Sequence, residues 1–153
     1  LNLLENSLIT DPKKRFQTKM GFINFDALNV YTNEIIEKFN VKTTGPSALA
    51  SSLSGGNLQK FVVGREIGKK PSLFIVNQPT WGVDALSAAN IRQAIVEIAN
   101  TGAAIILISQ DLDEILEIST KVAFLTNGSL SMPNNTADIK IDEIGAIMGG
   151  VGD

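Results

Sequence analysis

An α/β protein with parallel strands, entered through a mostly helical section, is the fold class this sequence predicts. Two short unbroken apolar runs, SLFIV (Ser72–Val76) and AAIILI (Ala103–Ile108), have the length and texture of strands buried on both faces of a parallel sheet. Between them, Ala85–Asn100 sets Ile91, Ile95 and Ile98 on one helical stripe. Strand, helix and strand in that order is the rhythm of a parallel sheet with crossover helices.

The elements follow in order along the chain. The opening segment reads as a helix that TDPKK (Thr10–Lys14) interrupts with a turn, and Ile35, Ile36 and Phe39 recur at helical spacing. Phe16, Phe22 and Phe25 are expected in the core of this front part, with part of their face open to a partner. Ser47–Ser54 is small and polar, hence a loop. Asn57–Gly68 places Leu58, Phe61, Val62 and Arg65 at helical intervals, with Gly68 as the C-cap. Asp84 caps the 85–100 helix in front and Gly102 closes it behind. Asp111, with Glu114 three residues on, has the form of a capping box opening a short helix. KVAFLTNGSL (Lys121–Leu130) reads as a strand, an Asn-Gly turn and a second strand. A last helix is expected over Ile139–Met148. The organisation expected is a helical subdomain over 1–52, a mixed α/β core over 53–131 and a helical tail over 132–153.

Composition removes several kinds of chemistry. With 44% apolar and 19% charged residues, the 153-residue chain can bury a core and is not of the disordered class. A net charge of −3 without a basic run argues against a nucleic-acid partner. The absence of Cys and His excludes disulfides, thiol catalysis, imidazole catalysis and the usual zinc sites, and no metal site is expected. No apolar stretch approaches the roughly 20 residues that a spanning helix requires. The chain opens on Leu1 with no leader-like pattern after it, so a piece of a longer protein is expected, a processed terminus being the alternative.

The segment richest in chemistry is LSGGN (Leu53–Asn57). Two glycines ahead of a helix let backbone approach a ligand closely, and the helix adds unpaired N–H groups with a positive dipole end. The Ser54 hydroxyl supplies a further donor. Such a loop suits an anion, phosphate above all, although for two glycines alone a flexible Ser-Gly turn is the favoured reading. The acidic group Asp111, Asp113, Glu114 and Glu117 reads as a helix start rather than a metal site. Trp81 reads as surface packing rather than a base-stacking platform. GREIGKK (Gly64–Lys70) is one residue short between its glycines for a phosphate-cradling loop, has Lys70 where a hydroxyl is needed, and ends a helix instead of starting one.

LSGGN with its LQK tail resembles the signature motif of ABC-transporter ATPases, in the form found in sugar and nucleoside importers. SLFIVNQPT resembles the family's Walker B strand, Gly82, Val83 and Asp84 its D-loop, and LISQDLDE (Leu107–Glu114) its switch segment. ENSL (Glu5–Leu8) and EIGAIMGG (Glu143–Gly150) resemble the two ends of the corresponding region. The resemblance implies part of a P-loop NTPase core, an ABC ATPase of an importer's second nucleotide-binding domain, with the phosphate loop lying ahead of this stretch. It implies that Ser54, Gly55, Gly56, Asn57 and Gln59 bind nucleotide in trans, on a site built by a partner domain, with Asp84 as the D-loop acid. Asn77 occupies the Walker B metal position and Gln78 that of the glutamate that polarises water. Gln110 replaces the switch histidine. The neutral amides Asn77 and Gln78 cannot serve as general bases, and at the catalytic position Gln110 an amide can hydrogen-bond a γ-phosphate but brings it no positive charge, so the chain's own site, with its catalytic positions Gln78 and Gln110, is expected to be degenerate.

ATP and Mg²⁺ are the implied cofactors of the full assembly. The implied partners are a second ABC ATPase domain, transmembrane permease subunits and, indirectly, an extracytoplasmic substrate-binding protein, at the cytoplasmic face of the membrane. The full-length protein is expected to be an ATPase and this chain alone inactive. The alternatives are a non-transport ABC ATPase, which usually keeps the acid pair and the histidine, and a structural pseudo-ATPase, which has no need of an intact LSGGN. Calorimetric titration with Mg-ATP, run beside a phosphate-release assay, is expected to show neither tight binding nor turnover. Steady hydrolysis by the chain alone would reveal a phosphate site elsewhere in it.

Overall fold

The computed structural model describes residues 1–11 and 14–139. The chain forms two compact units, the first Leu1–Ile108 and the second from Ser109 onward.

In the first unit, α1 (Leu3–Ile9) opens on a capping box. Asn2 Oδ1 accepts from the Glu5 N–H and the Glu5 carboxylate accepts from the Asn2 N–H, at 2.8 and 2.9 Å. Asn24 caps α2 (Phe25–Lys38) through the Ala27 N–H. After a 3₁₀ turn at Ala50–Ser52 come α3 (Gly55–Gly68), β1 (Leu73–Asn77), α4 (Ala85–Asn100) and β2 (Ala104–Ile108). Helices α1, α2, α3 and α4 pack successively on one another, burying Leu3, Leu28, Phe61 and Ile91 almost completely. The buried Thr32 hydroxyl donates to the Leu28 carbonyl at 2.8 Å, so its polarity is satisfied inside the core. The 46–50 loop is fastened to the chain start by hydrogen bonds from Leu3 and Leu4 N–H to the Ala48 and Pro46 carbonyls.

β1 and β2 pair in parallel, Leu73 opposite Ala104 and Asn77 opposite Ile108, with α4 as the crossover. The expected strands therefore form, but burial on both faces does not. Phe74 and Val76 are buried, whereas Leu73, Ile75, Ile106 and Ile108 lie about half exposed on the opposite face. Helix α4 packs on β2, and no described element of this unit covers that opposite face.

Two further expectations change. Gly68 is not the cap of α3. Gly68 is the last residue of the helix and Lys69 its cap, and Lys70 takes the left-handed conformation at φ +50°. Residue 68 is small because a Cβ there would lie 2.7 Å from the Tyr31 hydroxyl, which donates to the Arg65 carbonyl at 3.0 Å. Of the three front phenylalanines only Phe16 is core. Its ring packs 5.2 Å from that of Tyr31, and the Arg15 guanidinium lies 4.7 Å from the Tyr31 centroid. Phe22 and Phe25 are 68% and 64% exposed. A tight turn through Gly21 at φ +84°, closed by the Thr18 N–H on the Phe22 carbonyl, carries Phe22 to the surface.

In the second unit, α5 (Leu112–Ile118) starts at Asp111, whose carboxylate accepts from the Glu114 N–H at 3.2 Å. The capping box is only half made. The Asp111 N–H goes to Ser109 Oγ instead, and Glu114 is fully buried, its carboxylate without a hydrogen-bond partner among the described residues. Val122 and Phe124 form this unit's core with Leu112, Ile115, Leu116 and Ile139. β4 (Leu125–Thr126) and β5 (Ser129–Leu130) make the expected hairpin, with Asn127 and Gly128 both at positive φ. β3 (Lys121–Val122) pairs antiparallel with β6 (Asn134–Asn135), an asparagine pair without a strand signal. The expected last helix lies outside the described residues except for Ile139, which is not helical.

Gly64 on α3 faces Phe39, and a Cβ there would meet its ring at 2.5 Å. Because that ring is itself buried, Gly64→Ala is expected to lower stability by about 1–3 kcal/mol, read as a lower midpoint of urea denaturation.

Candidate functional site

The site is built where the N-terminus of α3 meets the turn ahead of α4. Ser54 has extended backbone (φ −64°, ψ 156°) and caps α3 through the Asn57 N–H. Residue 56 cannot carry a side chain without rearrangement, since a Cβ would stand 2.7 Å from the Gly82 carbonyl oxygen, a backbone atom. Gly82 itself turns at φ +73°. This close approach makes one wall of an open cleft of about 270 Å³, lined by Lys42, Ser54, Gly56, Asn57, Lys60 and Asp84 among others.

The charges in the cleft are held by local chemistry. Lys60 is 5% exposed, and its ammonium donates to the Asn40 carbonyl at 2.8 Å. Asp84 caps α4, accepting from the Ser87 N–H at 3.0 Å and the Ser87 hydroxyl at 2.6 Å. Those two bonds, the hydroxyl's first, hold the Asp84 carboxyl below the usual aspartate range, with Lys60 contributing from farther away. Lys42 and Lys60 carry no motif signal of their own. Lys60 sits in the LQK tail, whereas nothing near Lys42 in the sequence points to the cleft.

Gln59 faces inward. Its amide NH₂ donates to the Gln78 and Pro79 carbonyls at 3.2 and 3.1 Å, tying α3 to the end of β1. Gln78 is left-handed at φ +50°, and its N–H donates to the Ile108 carbonyl at 2.8 Å. Asn77 ends β1, exposed and neutral. Ser54, Gly56, Asn57 and Asp84 thus share one cleft; Asn77 and Gln78 lie outside its lining. Gln110 falls in the second unit. Trp81 is 77% exposed. Among the described residues no group of acidic side chains is arranged to hold a metal, the cluster around α5 included.

This fold is that of an ABC ATPase cassette. The ATP-binding cassette MJ0796, in a dimeric post-hydrolysis state bound to ADP and Pi, superposes with a TM-score of 0.75 over 89% of this chain and 57% of its own, at 20% identity. A putative metal-chelate-type ABC transporter in an inward-facing conformation gives 0.72 over 98% and 58%, at 16% identity. The chain's homologues are the ATP-binding proteins of ABC importers for sugars and nucleosides. It is 34% identical over 150 residues to the nucleoside import ATP-binding protein NupA of Lactococcus lactis subsp. cremoris, covering 98% of this chain and 30% of that protein. It is 33% identical over 156 residues to the glucose import ATP-binding protein TsgD13 of Haloferax volcanii, covering 100% and 28%. The guanosine import ATP-binding protein NupO of Bacillus subtilis is 30% identical over 146 residues, covering 95% and 29%. The chain therefore spans less than a third of the length of these curated relatives. No protein-family model matches it.

Removing the Ser87 hydroxyl tests the Asp84 cap. Carbon-detected titration is expected to place the Asp84 midpoint below 3.8, and Ser87→Ala to move it back up. Because the folded pKa is depressed, the cap's contribution is present above 3.8 and is lost as pH falls through the lower folded value.

Proposed function

We propose that this chain is the signature-bearing part of an ATP-binding subunit of an ABC importer for nucleosides or simple sugars. In this reading it completes an ATP site on a partner cassette, while its own site is degenerate. The observation that carries the proposal is the separation of two sets of residues. Ser54, Gly56 and Asn57 line an open cleft with Lys42 and Lys60, and the amides at the end of β1 lie outside that cleft.

The cleft suits a polyphosphate. It combines a hydroxyl, the dipole end of a 14-residue helix and two lysines, against one carboxylate already engaged by Ser87. The end of β1 does not suit Mg²⁺ or an attacking water. Asn77 offers a neutral oxygen where a hard cation favours a carboxylate, and Gln78 has no basic group to accept a proton. Such a domain contributes to ATP hydrolysis by what it presents to its neighbour.

The wider setting belongs to the same proposal. ATP with Mg²⁺ would be held largely by the partner cassette. Permease subunits would dock on the cytoplasmic face of the membrane, with a substrate-binding protein acting through them from the other side. The exposed Phe22 and Phe25, with Met20 beside them, fit a surface meant to be covered. Among the described residues no helix is long and apolar enough to cross a membrane. Nucleoside and sugar transport are offered by the homologues alike.

In the assembled importer, Ser54→Ala combined with a bulky residue at Gly55 is expected to lower transport-coupled ATP hydrolysis by about 100-fold, the scale of losing a positioned oxyanion donor. Gln78→Glu alone is expected to change it little. Substantial hydrolysis after the double change would overturn the trans role of the loop.

A further inference from the structure

The hydrogen bonds around Asn57 define which way the Ser54 hydroxyl can act. Asn57 Oδ1 accepts from the backbone N–H of Lys42 at 2.9 Å. That N–H can only donate, so the amide cannot be turned over without setting two donors against each other, and its NH₂ must face Ser54. Asn57 Nδ2 then donates to Ser54 Oγ at 2.8 Å, and the Asn57 backbone N–H approaches the same oxygen at 3.4 Å. A serine hydroxyl has two acceptor positions and one proton. Both acceptor positions here face N–H groups of Asn57, which leaves the proton as the one interaction Ser54 has to offer.

Ser54 is exposed and lines the cleft with Lys42 and Lys60. The carboxylate that also lines it, Asp84, has one oxygen on the Ser87 N–H and the other on the Ser87 hydroxyl. Its acceptor positions are therefore already partly taken by the α4 cap.

We propose that Asn57 is a positioning residue: anchored by the Lys42 N–H, it occupies the acceptor side of Ser54 and turns the hydroxyl proton into the cleft, making Ser54 a donor to phosphate oxygens. This rests on the reading of the loop as a polyphosphate-binding element and adds how its hydroxyl is oriented. Asn57 commits its amide oxygen to Lys42 and one amide N–H to Ser54, so the role assigned to it is exercised through the Ser54 hydroxyl. The Lys42 contribution to the clamp comes from its backbone, so its side chain acts separately, by charge.

The proposal is one of coupling, and a double-mutant cycle reads coupling directly. The ¹⁵N-labelled chain is titrated with inorganic tripolyphosphate at constant ionic strength, following the Gly55 and Gly56 amides, with the Ile91 and Ile95 amides as a check on the core. Ser54→Ala is expected to weaken binding about tenfold or more in the otherwise unsubstituted chain, the scale of one charge-assisted hydrogen bond. In the Asn57→Ala and Asn57→Asp backgrounds the same Ser54→Ala change is expected to cost less than about twofold, because the hydroxyl is then free to turn or is drawn inward by the carboxylate. Asn57→Asp is isosteric and keeps the Lys42 contact, so it decides the matter should Asn57→Ala disturb the core signals. A full Ser54→Ala effect in both backgrounds overturns the positioning role and leaves the loop's phosphate reading intact. No saturable shift in the unsubstituted chain, or no effect of Ser54→Ala in it, overturns the phosphate reading and the positioning role with it.

Discussion

The approach of α3 to the turn before α4 is the contact on which the rest of the site depends. At Gly56 the separation from the Gly82 carbonyl leaves no room for even a methyl group. Three residues on, Gln59 reaches across to the Gln78 and Pro79 carbonyls. One turn of helix is thus pinned to the loop following β1 by a steric fit on one side and a bifurcated amide on the other. The cleft between Lys42, Ser54 and Asp84 exists because these two attachments hold its walls at that spacing. The same loop on a looser helix would present these residues without a defined direction.

The same attachments run between the two groups of residues that the proposed function separates. Gln59 belongs to the helix that opens the cleft, and its partners are the backbone carbonyls of Gln78 and Pro79. Gln78 adopts a left-handed conformation that costs a non-glycine residue roughly a kcal/mol or more, and it is held there from its N–H by Ile108 and from its carbonyl by Gln59. The shape of this loop therefore rests on backbone contacts rather than on the side chains at residues 77 and 78.

Apolar surface is distributed unevenly. The face of β1 and β2 that carries Leu73, Ile75, Ile106 and Ile108 is open, as are Phe22 and Phe25, while the helical layers pack tightly. Solved cassettes extend well beyond the matched region, since this chain covers 57% of MJ0796. Apolar side chains in such positions gain free energy when covered, at about 25 cal/mol per Å². Both exposed sets are the kind of surface that a larger assembly would bury.

Local pattern was enough for most of the elements. The period of Ile91, Ile95 and Ile98, the caps at Asp84 and Gly102, the Asn127-Gly128 turn and the apolar runs of β1 and β2 each carry their signal within a few neighbours, and so does LSGGN. What could not be read locally is whatever depends on a distant partner. The exposure of Ile75 and Ile106 follows from which face α4 covers, and the need for glycine at 68 follows from a tyrosine 37 residues earlier. β6 exists only because β3 lies beside it. Lys42 enters the cleft because the chain folds back on α3, and Asn57 becomes a clamp only when the Lys42 N–H arrives at its oxygen. Residue types and caps are properties of short stretches of chain, whereas burial, close approach and the direction of a hydroxyl proton are properties of neighbours that the sequence leaves far apart.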